Sequence, residues 1–350
     1  MFLLKLWTGR CGGTRWAFRL CRPFDRVLYM KIDMLASRKP WLIRNATSLV
    51  TLASVAAYIL FIQWFWGWGD ILARWQEAGW QTLAVAMLLL LSTYVLRTWR
   101  IHDYFPRETA GHFRRLLRLV QVHNLLNVMM PFRSGEVSFP LLMRKEFGVS
   151  LPRATSALLV MRLLDLHALL AAAGFGLALE KGHALAWLLW LAFAAAPALG
   201  FGLRRPLFRL LHGAVPSRLE KLLSEVEAGL PVDGLAFFRA WGVTLVNWSV
   251  KVAVLAWVLV LLGDLNLGPA FGGALGGELS SVLPVHAPGG VGTYPAGITA
   301  GALGFGADHA EGALAVLGKA AVNAHLLIIV SSVVGTLLSM LVARGAAGER

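Results

Sequence analysis

The sequence predicts an all-α, polytopic membrane protein with about six transmembrane helices and two re-entrant helical hairpins arranged as an inverted repeat. Three observations carry that expectation. Of the 350 residues, 57% are hydrophobic and only 15% charged, whereas soluble domains carry about a quarter charged residues. Apolar stretches of about 20 residues recur along the chain, the length that crosses a bilayer as a helix. The 33 Lys and Arg collect between alternate pairs of those stretches, as the positive-inside rule requires.

Residues 1–44 form a leader with ten Lys and Arg, among which Trp16, Phe18, Leu20 and Phe24 are interleaved. It reads either as an amphipathic helix on the membrane surface or as a disordered extension ahead of a start at Met30 or Met34. Lys5 interrupts the apolar opening too early for a signal-peptide core. Cys11 and Cys21 suggest neither a disulfide framework nor a metal site. From residue 45 to 342 the chain reads as one integral membrane domain. Its six spans are expected at residues 46–66, 80–96, 154–179, 184–203, 240–262 and 312–342. Residues 204–239 form a cytoplasmic loop with an amphipathic helix around 217–230, and residues 343–350 a cytoplasmic tail.

Two further apolar segments do not fit simple spans. Residues 120–130 are too short and end at Pro131, and residues 270–305 are broken by Pro284, Pro288, Gly289, Gly290 and Gly292. Both are expected to enter and leave on one side, the first over about 119–147 and the second over about 268–306. With a cytoplasmic N-terminus, 28 Lys and Arg then face the cytoplasm and two, Arg74 and Lys181, face outward. Arg162, Lys251 and Lys319 fall within spans. Treating either broken segment as a full crossing would invert every later loop and destroy this asymmetry. The net charge of +14 and pI of about 10.6 are therefore an orientation signal rather than a nucleic-acid footprint.

The two broken segments lie on opposite sides in this topology, and each precedes a span with a buried cation, Arg162 or Lys319. Inverted repeats with broken helices meeting near the midplane are a transporter architecture. Arg162 and Asp165, three residues apart, share a helical face. They read either as an ion pair locking helix packing or as an anion-binding cation oriented by its carboxylate, with Arg133 and Glu136 approaching from the first hairpin. Lys319 with Asn323, Lys251 with Asn247, and His123 with Asn127 are further face-sharing pairs, four residues apart. His167 is turned away from Arg162 and is expected to pack or lie at the interface. Pro131 and Gly135 break the first hairpin. In the second, a half-helix beginning beyond Gly292 would present a positive dipole end to an anionic group. Gly272, Gly276, Gly297 and Gly301 suit close helix packing. Trp64, Trp66, Trp68, Trp75 and Trp80 suit an outer aromatic belt, and Arg97, Trp99, Arg100, Arg114, Arg115 and Arg118 an inner basic collar.

Several classes are not encoded. There is no phosphate-loop motif, no metal-ligand spacing and no pair of carboxylates set for general acid–base work. No cofactor, metal or catalytic residue is expected.

The pattern Asn127-x-x-x-Pro131-x-Arg133-x-Gly135-Glu136, then Arg162-x-x-Asp165, then Leu283-Pro284-x-x-x-Pro288-Gly289-Gly290-x-Gly292 resembles the lysylphosphatidylglycerol synthase transmembrane-region family. Arg97-x-Trp99-Arg100 fits as well, and the resemblance runs over residues 46–342. It implies a lipid translocase of the bacterial cytoplasmic membrane, multi-pass with both termini cytoplasmic. The family usually carries an acid shortly after the Gly-Gly motif, where this chain has Pro295. No aminoacyl-transferring domain is present, so lysyl-phosphatidylglycerol synthesis is not expected. The combined expectation is a non-enzymatic flippase for an anionic or phosphate-bearing lipid: a phospholipid, glycolipid, or polyprenyl- or hopanoid-type lipid. Its headgroup groove would be lined by Asn127, Arg133, Glu136, Arg162, Asp165, His286 and Lys319. Membrane lipids are its expected partners, and both a homo-oligomer and a partner enzyme of a lipid pathway are compatible with it. The rival readings are a membrane transferase acting on a lipid-linked substrate and a non-transporting subunit that recruits a partner.

Overall fold

The computed structural model describes residues 41–283 and 287–345. The leader up to residue 40, Pro284, His286 and the tail beyond residue 345 lie outside the described residues. Among the described residues every regular element is helical. In chain order they are α1 (Trp41–Phe65), α2 (Trp68–Ala78), α3 (Trp80–Tyr104), the single turn α4 (Pro106–Thr109), α5 (Phe113–Met129), α6 (Ser138–Phe147) and α7 (Leu151–Lys181). They continue as α8 (Ala184–Ala214), α9 (Ser217–Glu227), α10 (Gly234–Gly263), α11 (Leu267–Val282), α12 (Thr293–Gly304) and α13 (Glu311–Gly345). Helices α3, α7, α8, α10 and α13 are long and apolar enough to cross a membrane, and the pair α1–α2, bent by 83°, makes a sixth candidate. The chain is an all-α polytopic membrane protein.

Local sequence explains where these helices stop. Gly67 and Gly79, both at positive φ, free the chain to turn before and after α2. α7 begins with Pro152 in its first turn and ends at left-handed Gly182. α10 begins where Asp233 accepts a hydrogen bond from the Ala236 N–H, 2.8 Å.

α3 departs from expectation. The apolar run ends at Leu96, but the helix continues to Tyr104. Arg100 is buried and Arg97 half-buried, while Trp99 between them is 57% exposed. The two arginines therefore belong to the interior rather than to an inner basic collar. Hydropathy could not show this, because it scores a guanidinium as polar whether or not a buried carboxylate receives it. With Arg133 also inside, three of the 28 basic residues expected on the cytoplasmic side leave that count. The asymmetry survives the correction.

Two broken hairpins flank α13. The first runs from α5 through a 3-10 turn at Pro131–Val137 into α6, and the second from α11 through a 3-10 turn at Pro288–Gly290 into α12. Gly135 is required in the first, since a Cβ there would lie 2.5 Å from the Leu126 carbonyl carbon and oxygen. The arms of the second pack backbone to backbone. A Cβ on Gly276 would lie 2.1 Å from the Gly297 oxygen, and one on Gly301 2.1 Å from the Gly272 oxygen. The small-residue pattern read from the sequence has this close approach as its consequence.

Register along α13 fixes how the hairpins face one another. Thr336 Oγ1 meets the Gln121 carbonyl at 3.3 Å, and Asn124 Nδ2 meets Ser332 Oγ at 3.1 Å. α5 thus runs antiparallel to α13, toward its middle. The second hairpin comes from the other direction: Ala302 packs near Leu317, while Tyr294 stacks on His325 at 5.1 Å between ring centroids. The two turns meet near the middle of α13, where Arg133 Nη1 donates to the Ser281 carbonyl at 2.5 Å.

Candidate functional site

The meeting point of the two turns gathers charge that a membrane interior does not accept lightly. A charged side chain near the bilayer centre costs roughly 2.5–3.5 kcal/mol on insertion scales. Here five cations and three carboxylates converge from five elements. Asp165 on α7 is 1% exposed. It receives Arg100 Nη1 at 2.7 Å and Arg162 Nη1 at 3.1 Å, and Trp248 Nε1 donates from α10 at 2.9 Å. Arg100 also donates to Thr244 Oγ1 at 2.7 Å. Arg162 Nε lies 2.9 Å from Glu136 Oε1, and the same carboxylate oxygen is hydrogen-bonded by Arg133. One chain of ion pairs thus joins α3, α7 and the first turn.

The first turn is strained. Phe132 and Arg133 both adopt left-handed backbone, φ 51° and 53°, a conformation that costs on the order of 1–2 kcal/mol per non-glycine residue. It points the Arg133 guanidinium toward Glu136 and the Ser281 carbonyl, leaving Phe132 76% exposed. Asn127, one turn before the break, is half-buried, and its Oδ1 has no partner.

Behind this cluster lies a second ion pair. Lys251 on α10 and Glu278 on α11 meet at 2.7 Å, with Glu278 fully buried. Tyr294 donates to the other Glu278 oxygen at 2.6 Å, which ties the two arms of the second hairpin together. The turn itself is held by His325, whose Nε2 lies 2.8 Å from the Gly289 carbonyl and whose Nδ1 lies 3.1 Å from the Tyr58 hydroxyl. Gly289, Gly290 and Gly292 all have positive φ, and α12 begins at Thr293, as expected from the break.

The structure thus brings Asn127, Arg133, Glu136, Arg162 and Asp165 to one region. It does not bring Lys319 there. Lys319 Nζ binds Asp70 at 2.8 Å, in an open cleft of about 350 Å³ between α2 and α13 that Arg74 and Glu77 also line. Thirteen residues separate Lys319 from Ser332, roughly 20 Å along a helix at 1.5 Å per residue. Lys319 and Asn323 lie four apart on one helix, and Asn323 Nδ2 bonds the Lys319 carbonyl rather than its side chain. The sharp bend before α2, which carries Asp70 across the start of α13, is the physical reason. His286 and Pro284 lie outside the described residues.

Sequence reasoning missed Arg97, Arg100, Trp248, Glu278, Tyr294 and His325 as members of the site. A signal existed for Glu278, an acid alone in an apolar helix, and for Lys251 opposite it. None existed for Trp248 or Tyr294, whose polar tips find buried partners only in the folded molecule. His167 stacks on Phe193 at 4.9 Å, the packing role expected for it. Among the described residues, no group of three His, Cys, Asp or Glu is arranged to hold a metal ion.

A family model, the lysylphosphatidylglycerol synthase TM region, matches residues 48–331. No curated protein and no solved structure matches the chain.

Proposed function

The chain belongs to the lysylphosphatidylglycerol synthase TM-region family, a membrane domain of lipid-related flippase- and synthase-type proteins, and we propose that it moves an anionic or phosphate-bearing lipid between leaflets. One observation carries the reading. Arg133, Glu136 and Arg162 lie where two broken hairpins meet, and they remain 9%, 24% and 18% exposed rather than sealed in the core. A headgroup reaching them would exchange its water for guanidinium hydrogen bonds while its acyl chains stay in lipid.

In this mechanism the hairpins are re-entrant elements of an inverted repeat, entering the membrane from opposite sides. The tie from Arg133 to the Ser281 carbonyl is the closed contact between them. Its release would let the headgroup pass from the Arg162 level toward the Lys319–Asp70 cleft at the far end of the route. We place the protein in the cytoplasmic membrane of a bacterium with both termini inside, a reading supported by the bias of basic loops. The transferase alternative finds less support, since Asp165, Glu136 and Glu278 are each engaged by cations and none stands ready as a general base.

Reconstitution in vesicles with fluorescent lipids bleached by dithionite tests the proposal. Wild type is expected to expose inner-leaflet lipid faster than protein-free vesicles, and Arg162→Ala and Lys319→Ala to slow it. Unchanged rates in both variants would remove the site assignment. No movement of any lipid class would refute the translocase reading.

A further inference from the structure

The balance of charge at the hairpin junction narrows the substrate class, an inference that rests on the translocase reading. Lys251 and Glu278 neutralise one another at 2.7 Å. The remaining cluster holds four guanidiniums, those of Arg97, Arg100, Arg133 and Arg162, against two carboxylates, Asp165 and Glu136. Arg100 is matched by Asp165 and Arg133 by Glu136. Arg162 only shares these same two carboxylates. Arg97 has a neutral partner, Asn124 Oδ1 at 2.7 Å, and its Nε is buried without one, although Asp165, Arg162 and Arg100 all lie within its electrostatic reach. The site therefore carries two positive charges more than its own carboxylates balance.

Such a surplus has a physical cost. Unpaired charge in a low-dielectric interior is destabilising, and intramembrane ionisable residues mark substrate pathways more often than packing. Neutral Asn124 as the partner of Arg97 leaves that guanidinium's charge available to a ligand. We propose that the junction selects lipid headgroups carrying two negative charges on phosphate, either one phosphomonoester or two linked phosphodiesters, over singly charged phosphodiesters. Guanidiniums form charge-assisted hydrogen bonds to phosphate oxygens, and Arg97 and Arg162 supply the two surplus charges, each keeping its Nη2 clear of the contacts described above.

The test uses the full chain in vesicles and lipids with identical, fluorescently labelled acyl chains, so that every headgroup is unmodified. Phosphatidic acid and a lipid with two phosphodiesters carry two charges, phosphatidylglycerol one and phosphatidylcholine none. At least one of the doubly charged lipids is expected to move ten times faster than phosphatidylglycerol, and which one does so tells a monoester from a paired diester. Arg97→Gln should narrow that ratio to about threefold or less. Arg97 is suited to this test because its removal strips no buried carboxylate of its partner. Equal rates for singly and doubly charged lipids, both above protein-free vesicles, would overturn this inference and leave the translocase reading standing. No movement of any lipid would overturn both. Stabilisation of detergent-solubilised protein by inorganic phosphate, without any lipid preference, would assign the charge surplus to a soluble ligand and overturn the lipid inference as well.

Discussion

Asp165→Ala removes the carboxylate that receives Arg100, Arg162 and Trp248, and its cost can be worked out from the structure. Asp165 and Arg100 have side chains 1% and 5% exposed. After the substitution Arg100 keeps only Thr244 Oγ1 at 2.7 Å, and Trp248 Nε1 loses its acceptor. Breaking a buried pair by removing one partner costs about 3–5 kcal/mol, most of it from the uncompensated charge. With an unfolding entropy of about 2.1 cal/mol/K per residue, a chain of 350 residues loses roughly 1.4 °C per kcal/mol, so the midpoint of thermal unfolding in detergent should fall by about 4–7 °C. Arg100→Met combined with Asp165→Leu removes both charges and should recover most of that loss. Arg97→Gln breaks a hydrogen bond to neutral Asn124 but also removes surplus buried charge, so the two effects oppose one another and stability should change by no more than about 1 kcal/mol. A melting curve for Asp165→Ala that overlays wild type would refute the assignment of Asp165 as the buried counter-charge of this cluster. A double variant no better than the single would refute the charge argument itself.

Other perturbations read other parts of the molecule. Gly276→Ala would set a Cβ 2.1 Å from the Gly297 oxygen, forcing the arms of the second hairpin apart. A loss of about 1–3 kcal/mol is expected, seen as reduced yield of monodisperse protein. His325→Phe removes both hydrogen bonds of the clamp on Gly289 and Tyr58, and amide exchange around residues 288–292 should quicken while α7 stays protected. Lys319→Ala breaks an ion pair with the exposed Asp70, so the melting midpoint should hardly move, whereas lipid movement should slow. Trp99→Ala lies on the exposed face of α3 and should leave folding unchanged in detergent, in contrast to changes at Arg100 one residue away.

The sequence made much of this architecture legible because the membrane imposes lengths and a charge bias that a single chain reveals. Span positions, both breaks and the small-residue packing of the second hairpin follow from those constraints. Arg162 with Asp165 was readable because helical spacing puts them on one face. The location of Lys319 was not, since its partner Asp70 lies 249 residues away, beyond a bend whose angle no pattern specifies. The roles of Arg97 and Arg100 were hidden for a related reason. Both sit at the end of an apolar run, where a cation is ordinarily an interfacial anchor, and only tertiary contact with Asp165 and Asn124 separates the buried from the interfacial case. His325 and Glu278 were lone polar residues in apolar helices, visible but without a sequence signal naming their partners.

The central claim is that lipid crosses where the two hairpin turns meet, by their parting. Its most direct test is a reversible tether between the turns. In a background with Cys11→Ser and Cys21→Ser, Ser134→Cys and Leu283→Cys place one thiol on the first turn and one at the end of α11, both at exposed positions. Joining them with a cleavable bis-maleimide should stop lipid movement in reconstituted vesicles, and cleaving the linker should restore it. Lipid movement at the untethered rate, with the cross-link verified as complete, would contradict the account.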